Sequence, residues 1–239
     1  MSTPEFIHID GDFFSTMKMT EGRTVYAKEG MDVIEATWDE KEKTPVAIKR
    51  VFLLDDKGRH RRKKVEKFIR EFSLLGKCQH PHIIKQMGSA ICPKFAAYWM
   101  PFYSMGTLRT LRESMEPKQI ERCFIQVACA VRYLHSNNVV HGDIKASNIL
   151  LDEDCNAFLA DFDHAFEKTP ESQQHGWGGT HGYIGPEFYD SKEPFDPYLM
   201  DAYALGATLW SMVFQDSPGD WDLLDALQEE GGHLPDTYK

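Results

Sequence analysis

The feature that most constrains this chain is the segment VVHGDIKASNILLDED at residues 139–154. It places Asp143, Lys145 and Asn148 in a short polar loop between two apolar, strand-like runs. A second carboxylate, Asp161, also follows a short apolar run, AFLA. Two carboxylates and a carboxamide on neighbouring loops are typical of a site for a hard cation, although a solvated polar loop has the same composition.

The same residues suit one type of reaction. Asn148 and Asp161 offer oxygen ligands to Mg²⁺. Asp143 can accept the proton of an attacking hydroxyl group, and Lys145 can stabilise a phosphoryl group during its transfer. The segment therefore predicts phosphoryl-transfer chemistry.

Length and composition restrict the class of protein. A chain of 239 residues is at the upper end for a single domain, and 42% apolar residues are ordinary for a globular protein. No apolar run is long enough to span a bilayer, and the N-terminus has acidic residues where a signal peptide needs a basic and then an apolar region. The five cysteines form no CxxC pair, which favours free thiols in a reducing compartment. We therefore predict a cytoplasmic protein without a membrane segment.

Charge is unevenly distributed along the chain. Residues 1–132 contain 23 Lys and Arg against 17 Asp and Glu, whereas residues 133–239 contain 4 against 20. A basic first half and an acidic second half indicate two lobes with different electrostatic roles. The overall charge of −10 argues against a nucleic-acid-binding protein, because a phosphate backbone requires a basic surface.

Hydrophobic periodicity predicts a β-rich first part and a helical second part. Residues 23–54 are predicted to form strands with a turn at Glu29-Gly30, and two further strands are predicted near 84–91 and 95–101. Residues 64–78 have a helical period that Gly76 and Pro81 are expected to end. Helices are also predicted at 119–138 and 201–214, and the second of these is apolar nearly all round.

Further motifs extend the pattern of the opening segment. VAIK places Lys49 in a strand, where its ammonium group can hold phosphates, and Glu71 lies on the following helix, where it can form an ion pair with Lys49. Together with HPHII, GTHGYIGPE and DAYALGATLW, these motifs make residues 22–215 resemble the protein kinase family. IKASNILLDED and GTHGYIGPE are most similar to the corresponding segments of receptor-like and interleukin-receptor-associated kinases.

The resemblance implies an α+β, two-lobe protein-kinase-like fold. A small β-rich N-lobe is expected at residues 23–101, after an N-terminal extension at 1–22, and a mainly helical C-lobe at 102–239. The C-lobe is expected to be truncated, because only 25 residues follow the helix at 201–214 where family members have several more helices. WDLLDALQ at 221–228 is predicted to be a short amphipathic helix or a contact for a regulatory protein partner.

The resemblance also implies ATP and Mg²⁺ as cofactors and assigns roles to particular residues. Asp143, Lys145, Lys49 and Glu71 are the expected catalytic residues, and Asn148 and Asp161 are the expected metal ligands. Lys49 is expected at the phosphates. The other residues expected to contact the nucleotide are Val25, Val33, Ala47, Met100, Pro101, Tyr103 and Leu150.

The glycine-rich loop departs from the family pattern. Its glycines are expected at positions 26, 28 and 31, where this chain has Tyr26, Lys28 and Met31. Glycines there let backbone N–H groups approach phosphates closely, so three side chains predict a weaker phosphate grip. This substitution is the main support for a pseudokinase.

Two further departures concern the catalytic and activation segments. Gly142 replaces an Arg that reads a phosphate on the activation loop in most kinases, and Asp163 replaces the Gly of the DFG motif. Without that Arg, phosphorylation of Thr169 or Ser172 is not expected to switch activity. Thr180, in contrast, is expected to contact Asp143 directly.

We therefore predict an ATP- and Mg²⁺-dependent serine/threonine protein kinase, because Lys145 and Thr180 match the serine/threonine pattern. The main alternative is a pseudokinase that acts as a nucleotide-binding scaffold or allosteric partner. A small-molecule phosphotransferase is less favoured, because that group usually has His at the position of Lys145. The acidic second half favours protein substrates with basic flanks. Nuclear import, suggested by the basic run at 57–67, and delivery into a host cytosol are alternatives to a resident cytoplasmic location.

Overall fold

The structure is a computed structural model that describes residues 6–169, 179–185 and 196–214. The chain divides into two compact units, Met1–Ser104 and Met105–Lys239. The boundary therefore lies three residues beyond the position 101 expected from the sequence. The predicted helix at 221–228 and Ser172 lie outside the described residues.

The first unit is built on a six-stranded sheet with the order β1-β5-β6-β4-β3-β2. All neighbouring strands are antiparallel except β1 and β5, which are parallel. The strands are β1 (Ile7–His8), β2 (Met19–Lys28), β3 (Met31–Trp38), β4 (Thr44–Phe52), β5 (Gly88–Ile91) and β6 (Phe95–Pro101). The predicted strand at 84–91 is shorter than expected, because regular pairing with β6 begins only at Gly88.

The N-terminal segment is part of this unit rather than an extension of it. Strand β1 adds to the sheet, and helix α1 (Phe13–Met17) contributes Phe13 to a cluster that includes Trp99, Ile34 and Ile48. The Phe13 ring lies 6.2 Å from the Trp99 ring in an edge-on arrangement. Residues 1–22 were expected to be an extension because the family resemblance begins at residue 22, and a two-residue strand gives almost no sequence signal.

Helix α2 (Arg62–Lys77) belongs to the first unit and begins two residues before the predicted start. Its buried residues recur at helical spacing and include Phe68, Phe72 and Leu75. Gly76 does not end the helix, which continues to Lys77. The Phe68 and Phe72 rings lie 5.5 Å and 6.0 Å from the ring of Tyr98 on β6, so α2 covers the sheet face opposite the Trp99 cluster.

The second unit is mainly helical, with short strand pairs that support loops. Its elements are α3 (Leu108–Leu111), α4 (Pro117–Ser136), β7 (Val139–Val140), β8 (Ile149–Leu151), β9 (Ala157–Leu159), β10 (Phe166–Glu167) and α5 (Tyr198–Val213). Strand β7 pairs with β10, and β8 pairs with β9, both in antiparallel fashion.

The ends of α4 follow from its sequence. Pro117 occupies the first helical turn, and Glu116 and Gln119 form a capping box that satisfies backbone N–H groups. The helix stops at Ser136, and Asn138 adopts the left-handed conformation with φ of +57°. The predicted range of 119–138 therefore shifts by two residues at each end.

Helix α5 is largely apolar and buries Met200, Ala204 and Met212. It starts at Tyr198, three residues before the predicted 201, because Asp196 accepts a 3.1 Å hydrogen bond from the Tyr198 backbone and orders the first turn. No helix within the described ranges has both the length and the apolar character that crossing a bilayer requires.

Candidate active site

The Lys49–Glu71 ion pair predicted from the sequence is present in the interior of the first unit. The Lys49 ammonium donates a 2.6 Å hydrogen bond to Glu71 Oε1, and the two side chains are only 5% and 1% exposed. Lys49 lies on β4 and Glu71 on α2, so the pair joins the sheet to the helix. The Tyr98 hydroxyl donates a second hydrogen bond of 2.8 Å to the same Glu71 oxygen.

Several residues predicted to contact the nucleotide share the sheet face of Lys49. Val33 is the cross-strand partner of Lys49, and Ala47 is the partner of Met100. Since side chains alternate along a strand, Ala47 and Lys49 point to the same face. Val25 lies at a register irregularity of β2 and is half exposed.

The remaining predicted nucleotide contacts lie at other places in the chain. Pro101 ends β6, and Tyr103 is partly buried two residues later. Leu150 is on β8 in the second unit, partly buried and bridged to Thr107. Their contacts with a nucleotide stay predictions.

The segment that replaces the glycine-rich loop is a regular hairpin. Tyr26 pairs with Val33, and Lys28 pairs with Met31, which leaves Glu29 and Gly30 as the turn. Gly30 has φ of +74°, a conformation that favours glycine and explains why the one glycine here stands at the turn.

The second unit brings together four of the polar side chains on which the prediction rests. The Lys145 ammonium donates hydrogen bonds of 2.7 Å to both Asp143 Oδ2 and Thr180 Oγ1. The Thr180 hydroxyl donates a 2.7 Å bond to Asp143 Oδ1, which confirms the predicted contact. The Asn148 amide donates to the Asp143 backbone carbonyl and to Oδ2, at 2.8 Å and 3.0 Å.

These contacts set the charge state of Asp143. Burial by itself raises the pKa of this carboxyl, but hydrogen bonds from Lys145 and Thr180, with the nearby charges of Lys145 and His164, more than offset it. The pKa of Asp143 is therefore lowered below its ordinary value. The carboxylate is ionised at neutral pH, as a proton acceptor must be.

The two predicted metal ligands lie at the same end of the β8–β9 hairpin. Asn148 immediately precedes β8, and Asp161 follows β9 after one intervening residue, Ala160. The Ala160 N–H donates a 2.8 Å hydrogen bond to the Asn148 carbonyl, which closes this end of the hairpin. Asp161 has a left-handed backbone with φ of +59°, directly before the turn at Phe162–His164.

The backbone of the loop at residues 141–148 is held by Asp201, to which the sequence analysis assigned no role. Asp201, at the start of α5, is fully buried. Its Oδ1 accepts a 2.9 Å hydrogen bond from the Gly142 N–H, and its Oδ2 accepts one of 2.8 Å from the His141 N–H. His135 Nε2 lies 2.9 Å from the same Oδ2. The sequence signal for this role is a carboxylate at the beginning of an otherwise apolar helix, because a buried acid requires hydrogen-bond partners.

Gly142 is required by the backbone at this point. It has φ of +77°, and a Cβ atom added there would lie 2.8 Å from the His164 carbonyl oxygen. His141 supports the neighbouring positions, since its Nε2 lies 3.0 Å from the Ala160 carbonyl oxygen and its Nδ1 accepts a 3.3 Å bond from the Asp143 N–H. The loop therefore positions Asp143 through its backbone as well as through its side chain.

Comparison with known proteins decides the family. The sequence pattern of the protein kinase domain matches residues 31–227 of this chain. The chain belongs to the protein kinase family. Its β-rich first unit and mainly helical second unit are the two lobes of that α+β fold.

Individual kinases are about 30% identical to this chain over the aligned residues. Serine/threonine-protein kinase SIK2 of Gallus gallus is 35% identical over 195 residues, which cover 78% of this chain and 23% of the relative. Serine/threonine-protein kinase SIK1 of Mus musculus is 31% identical over 191 residues, which cover 78% of this chain and 24% of the relative. Serine/threonine/tyrosine-protein kinase HT1 of Arabidopsis thaliana is 29% identical over 175 residues, which cover 70% and 44%. The kinase chain described here spans less than half the length of each of these relatives.

Proposed function

We propose that this kinase is an active, ATP- and Mg²⁺-dependent serine/threonine protein kinase that transfers the γ-phosphoryl group of ATP to a protein hydroxyl group. The arrangement of Asp143 with Lys145 and Thr180 carries the proposal. A carboxylate with a lowered pKa lies within 2.7 Å of both a lysine ammonium and a threonine hydroxyl. A scaffold that only binds nucleotide has no use for an ionised proton acceptor held in this way.

The residues of the second unit fit a magnesium ion by their chemistry. The Asn148 amide nitrogen is hydrogen-bonded to Asp143, so the amide oxygen is directed to the opposite side of the group. That oxygen and the Asp161 carboxylate at the same hairpin end are the hard ligands that Mg²⁺ prefers. When bound, MgATP supplies the phosphoryl group and the charge that neutralises it.

Each residue of the site then has its own role in the proposed reaction. Asp143 accepts the proton of the substrate hydroxyl, and Lys145 stabilises the negative charge beside it. Thr180 holds the Asp143 carboxylate in place through its hydroxyl. Lys49, oriented by Glu71, holds phosphate oxygens, and Val33, Ala47 and Met100 provide an apolar surface for the adenine.

A peptide is the substrate class that the second unit favours. A small pocket beside Asp143 is lined by Gly179, Thr180, Tyr183, Ile184, Met200 and Ala204. The pocket has room for little more than a water molecule, so it marks where the 179–184 segment packs against Asp143 and is not a subsite for a peptide side chain. The acidic balance of residues 133–239 favours basic flanks on that peptide.

A pseudokinase scaffold is the second candidate, and the β2–β3 hairpin favours it. Side chains at Tyr26, Lys28 and Met31 are part of a paired hairpin instead of a glycine loop that wraps phosphates. This candidate predicts nucleotide binding without phosphoryl transfer. A regulatory protein partner would then carry the biological effect.

Radiolabelled phosphate transfer to a serine/threonine peptide library tests the proposal. The purified chain with MgATP is compared with Asp143→Asn, which removes the proton acceptor, and with Asp154→Asn, which changes an exposed carboxylate on the turn between β8 and β9. We expect transfer by the parent and by Asp154→Asn, and none by Asp143→Asn. A thermal shift with MgATP in the absence of any transfer by the parent would support the pseudokinase instead.

A further inference from the structure

The turn of the β2–β3 hairpin is held by an arginine from another part of the first unit. A Cβ atom added at Gly30 would lie 3.0 Å from three atoms of the Arg61 side chain, Cδ, Nε and Cζ. The guanidinium group therefore lies directly on the turn backbone. Glycine at this position permits both the positive φ and the close approach of Arg61.

Arg61 joins three segments at the start of α2. Its Nη1 donates a 2.7 Å hydrogen bond to Glu29 Oε1 in the hairpin turn, and its Nε donates one of 3.2 Å to the Leu54 carbonyl. Its backbone N–H donates a 2.9 Å bond to the Leu53 carbonyl. The Arg61 side chain is only 12% exposed, whereas that of Glu29 is 80% exposed. Burial fixes the Arg61 guanidinium group, and the exposed Glu29 side chain reaches it from the hairpin turn.

Lys64 adds a second connection one turn further along α2. Its ammonium group donates a hydrogen bond to the Glu29 backbone carbonyl and lies 3.5 Å from Glu29 Oε1. The hydrogen bond from Arg61 and the charge of Lys64 lower the pKa of Glu29, so its carboxylate is ionised at neutral pH. We call the three residues Glu29, Arg61 and Lys64 the hairpin latch.

The electrostatics of α2 explain why the hairpin latch matters. The helix begins at Arg62 without a side-chain cap and without an acidic residue in its first turn. Residues 61–64 are all basic, although the positive end of the helix dipole disfavours cations there. Glu29 supplies from the hairpin the negative charge that the first turn lacks. The start of α2 is therefore stabilised by a residue from outside the helix.

Helix α2 also carries Glu71, the partner of Lys49. The helix is continuous from Arg62 to Lys77, so a displacement of its first turn is transmitted along the axis to Glu71. We propose that Glu29 and Arg61 are positioning residues that fix α2, and thereby keep Glu71 in hydrogen-bonding reach of Lys49. The consequence for nucleotide affinity rests on the proposed kinase function, whereas the positional coupling does not.

Hydrogen exchange of the nucleotide-free full chain tests the coupling directly. Glu29→Gln keeps the shape of the side chain and removes its charge. We expect amide exchange to rise about two- to five-fold at residues 26–33 and also at 65–75, the range typical of losing one ion pair with an exposed member. Glu29→Asp should give a smaller rise, and the effect should disappear in high salt, because screening weakens the parent latch too.

Glu40→Gln is the matched control, because Glu40 forms an ion pair with Lys18 on the same unit with both side chains largely exposed. It should leave exchange at 65–75 unchanged. A rise confined to residues 26–33 in Glu29→Gln, or an equal rise at 65–75 in Glu40→Gln, would overturn the proposal whether or not the protein transfers phosphate.

A titration with MgATP extends the test to the proposed function. We expect Glu29→Gln to weaken nucleotide binding by about the same factor as the change in exchange, and Glu40→Gln to leave it unchanged. If exchange at 65–75 responds as expected but the parent chain transfers no phosphate, the coupling stands and the proposed kinase activity is wrong.

Discussion

The Thr180 hydroxyl donates a 2.7 Å hydrogen bond to Asp143 Oδ1 and accepts one of 2.7 Å from the Lys145 ammonium. One side chain of the activation segment thus contacts both residues proposed to perform the chemistry. Because the hydroxyl can donate to one and accept from the other, it fixes the carboxylate and the ammonium at the same time. A hydroxyl at position 180 is therefore expected to be needed for turnover.

Substitution of Thr180 tests this arrangement. Thr180→Ala should lower kcat by about ten-fold or more, since a hydrogen bond to a charged group contributes about 1.5–3 kcal/mol. Thr180→Ser retains the hydroxyl and should stay within a few-fold of the parent. Steady-state kinetics on a peptide substrate, with melting temperatures as the folding control, give the result. Equal kcat values for the alanine variant and the parent would contradict the role.

The Lys49–Glu71 pair predicts a strongly non-additive response. Either Lys49→Met or Glu71→Leu leaves an uncompensated charge in the interior, which costs about 3–5 kcal/mol of the free energy of unfolding. The double variant removes both charges of this pair and should be more stable than either single variant. Urea denaturation of the four proteins measures this. Additive losses would show that the two side chains do not interact in solution.

The sequence identified the fold and many site residues because their signals are local. The Glu29-Gly30 turn, the periodicity of α2 and the VAIK motif each appear within a few neighbouring positions. The pairing of Lys49 with Glu71 is predicted from the VAIK strand and the helix that follows it, and the structure confirms it. No local signal, in contrast, connected Ile7–His8 with β5, because that pairing joins segments about eighty residues apart.

The roles of Asp201 and Arg61 also escaped the sequence, for a physical reason. Asp201 acts through the backbone N–H groups of residues sixty positions earlier, and such groups carry no residue-type signature. Arg61 lies in a basic run whose members look alike in sequence, and only the structure distinguishes the fixed cation from its exposed neighbours. When a side chain binds the backbone of residues far away in the sequence, the identity of those residues does not indicate the contact.

Gly142 should not tolerate a side chain. A Cβ atom there would meet the His164 carbonyl at 2.8 Å, and the left-handed conformation alone costs a non-glycine residue about 1–2 kcal/mol. Gly142→Ala is therefore expected to lower the melting temperature by several degrees. Gly206→Ala on α5, where a Cβ meets nothing within 4 Å, is the control and should be neutral or slightly stabilising. An unchanged Gly142→Ala protein would contradict the described loop backbone.

The lowered pKa of Asp143 predicts the acidic limb of the pH–rate profile. Because the pKa is lowered, the ionised carboxylate and the stability that it contributes are fully present above the ordinary pKa of about 4. Both are lost only as the pH falls through the lower pKa of the folded protein. Activity should therefore show no loss from Asp143 between about pH 5 and 8. Thr180→Ala removes one cause of the shift and should move the acidic limb to higher pH. Tryptophan fluorescence at each pH distinguishes titration from unfolding.

Among isosteric substitutions outside Asp143, Lys145 and Thr180, Asp201→Asn is expected to have the largest effect on stability and activity. Its two oxygens accept three short contacts, from the Gly142 N–H, the His141 N–H and His135 Nε2. An Asn side chain has only one oxygen, so its NH₂ group must face at least one of the two backbone N–H groups. Each buried donor that is left without an acceptor costs about 1–3 kcal/mol. Asp201→Asn should therefore lower both the free energy of unfolding and kcat, because the same backbone N–H groups set the position of Asp143.

The control is Asp196→Asn, which changes a half-exposed carboxylate paired with Lys168 and should alter stability by no more than about 1 kcal/mol. Urea denaturation and peptide kinetics on the two variants give the comparison, and equal effects would show that Asp201 does not support the catalytic loop.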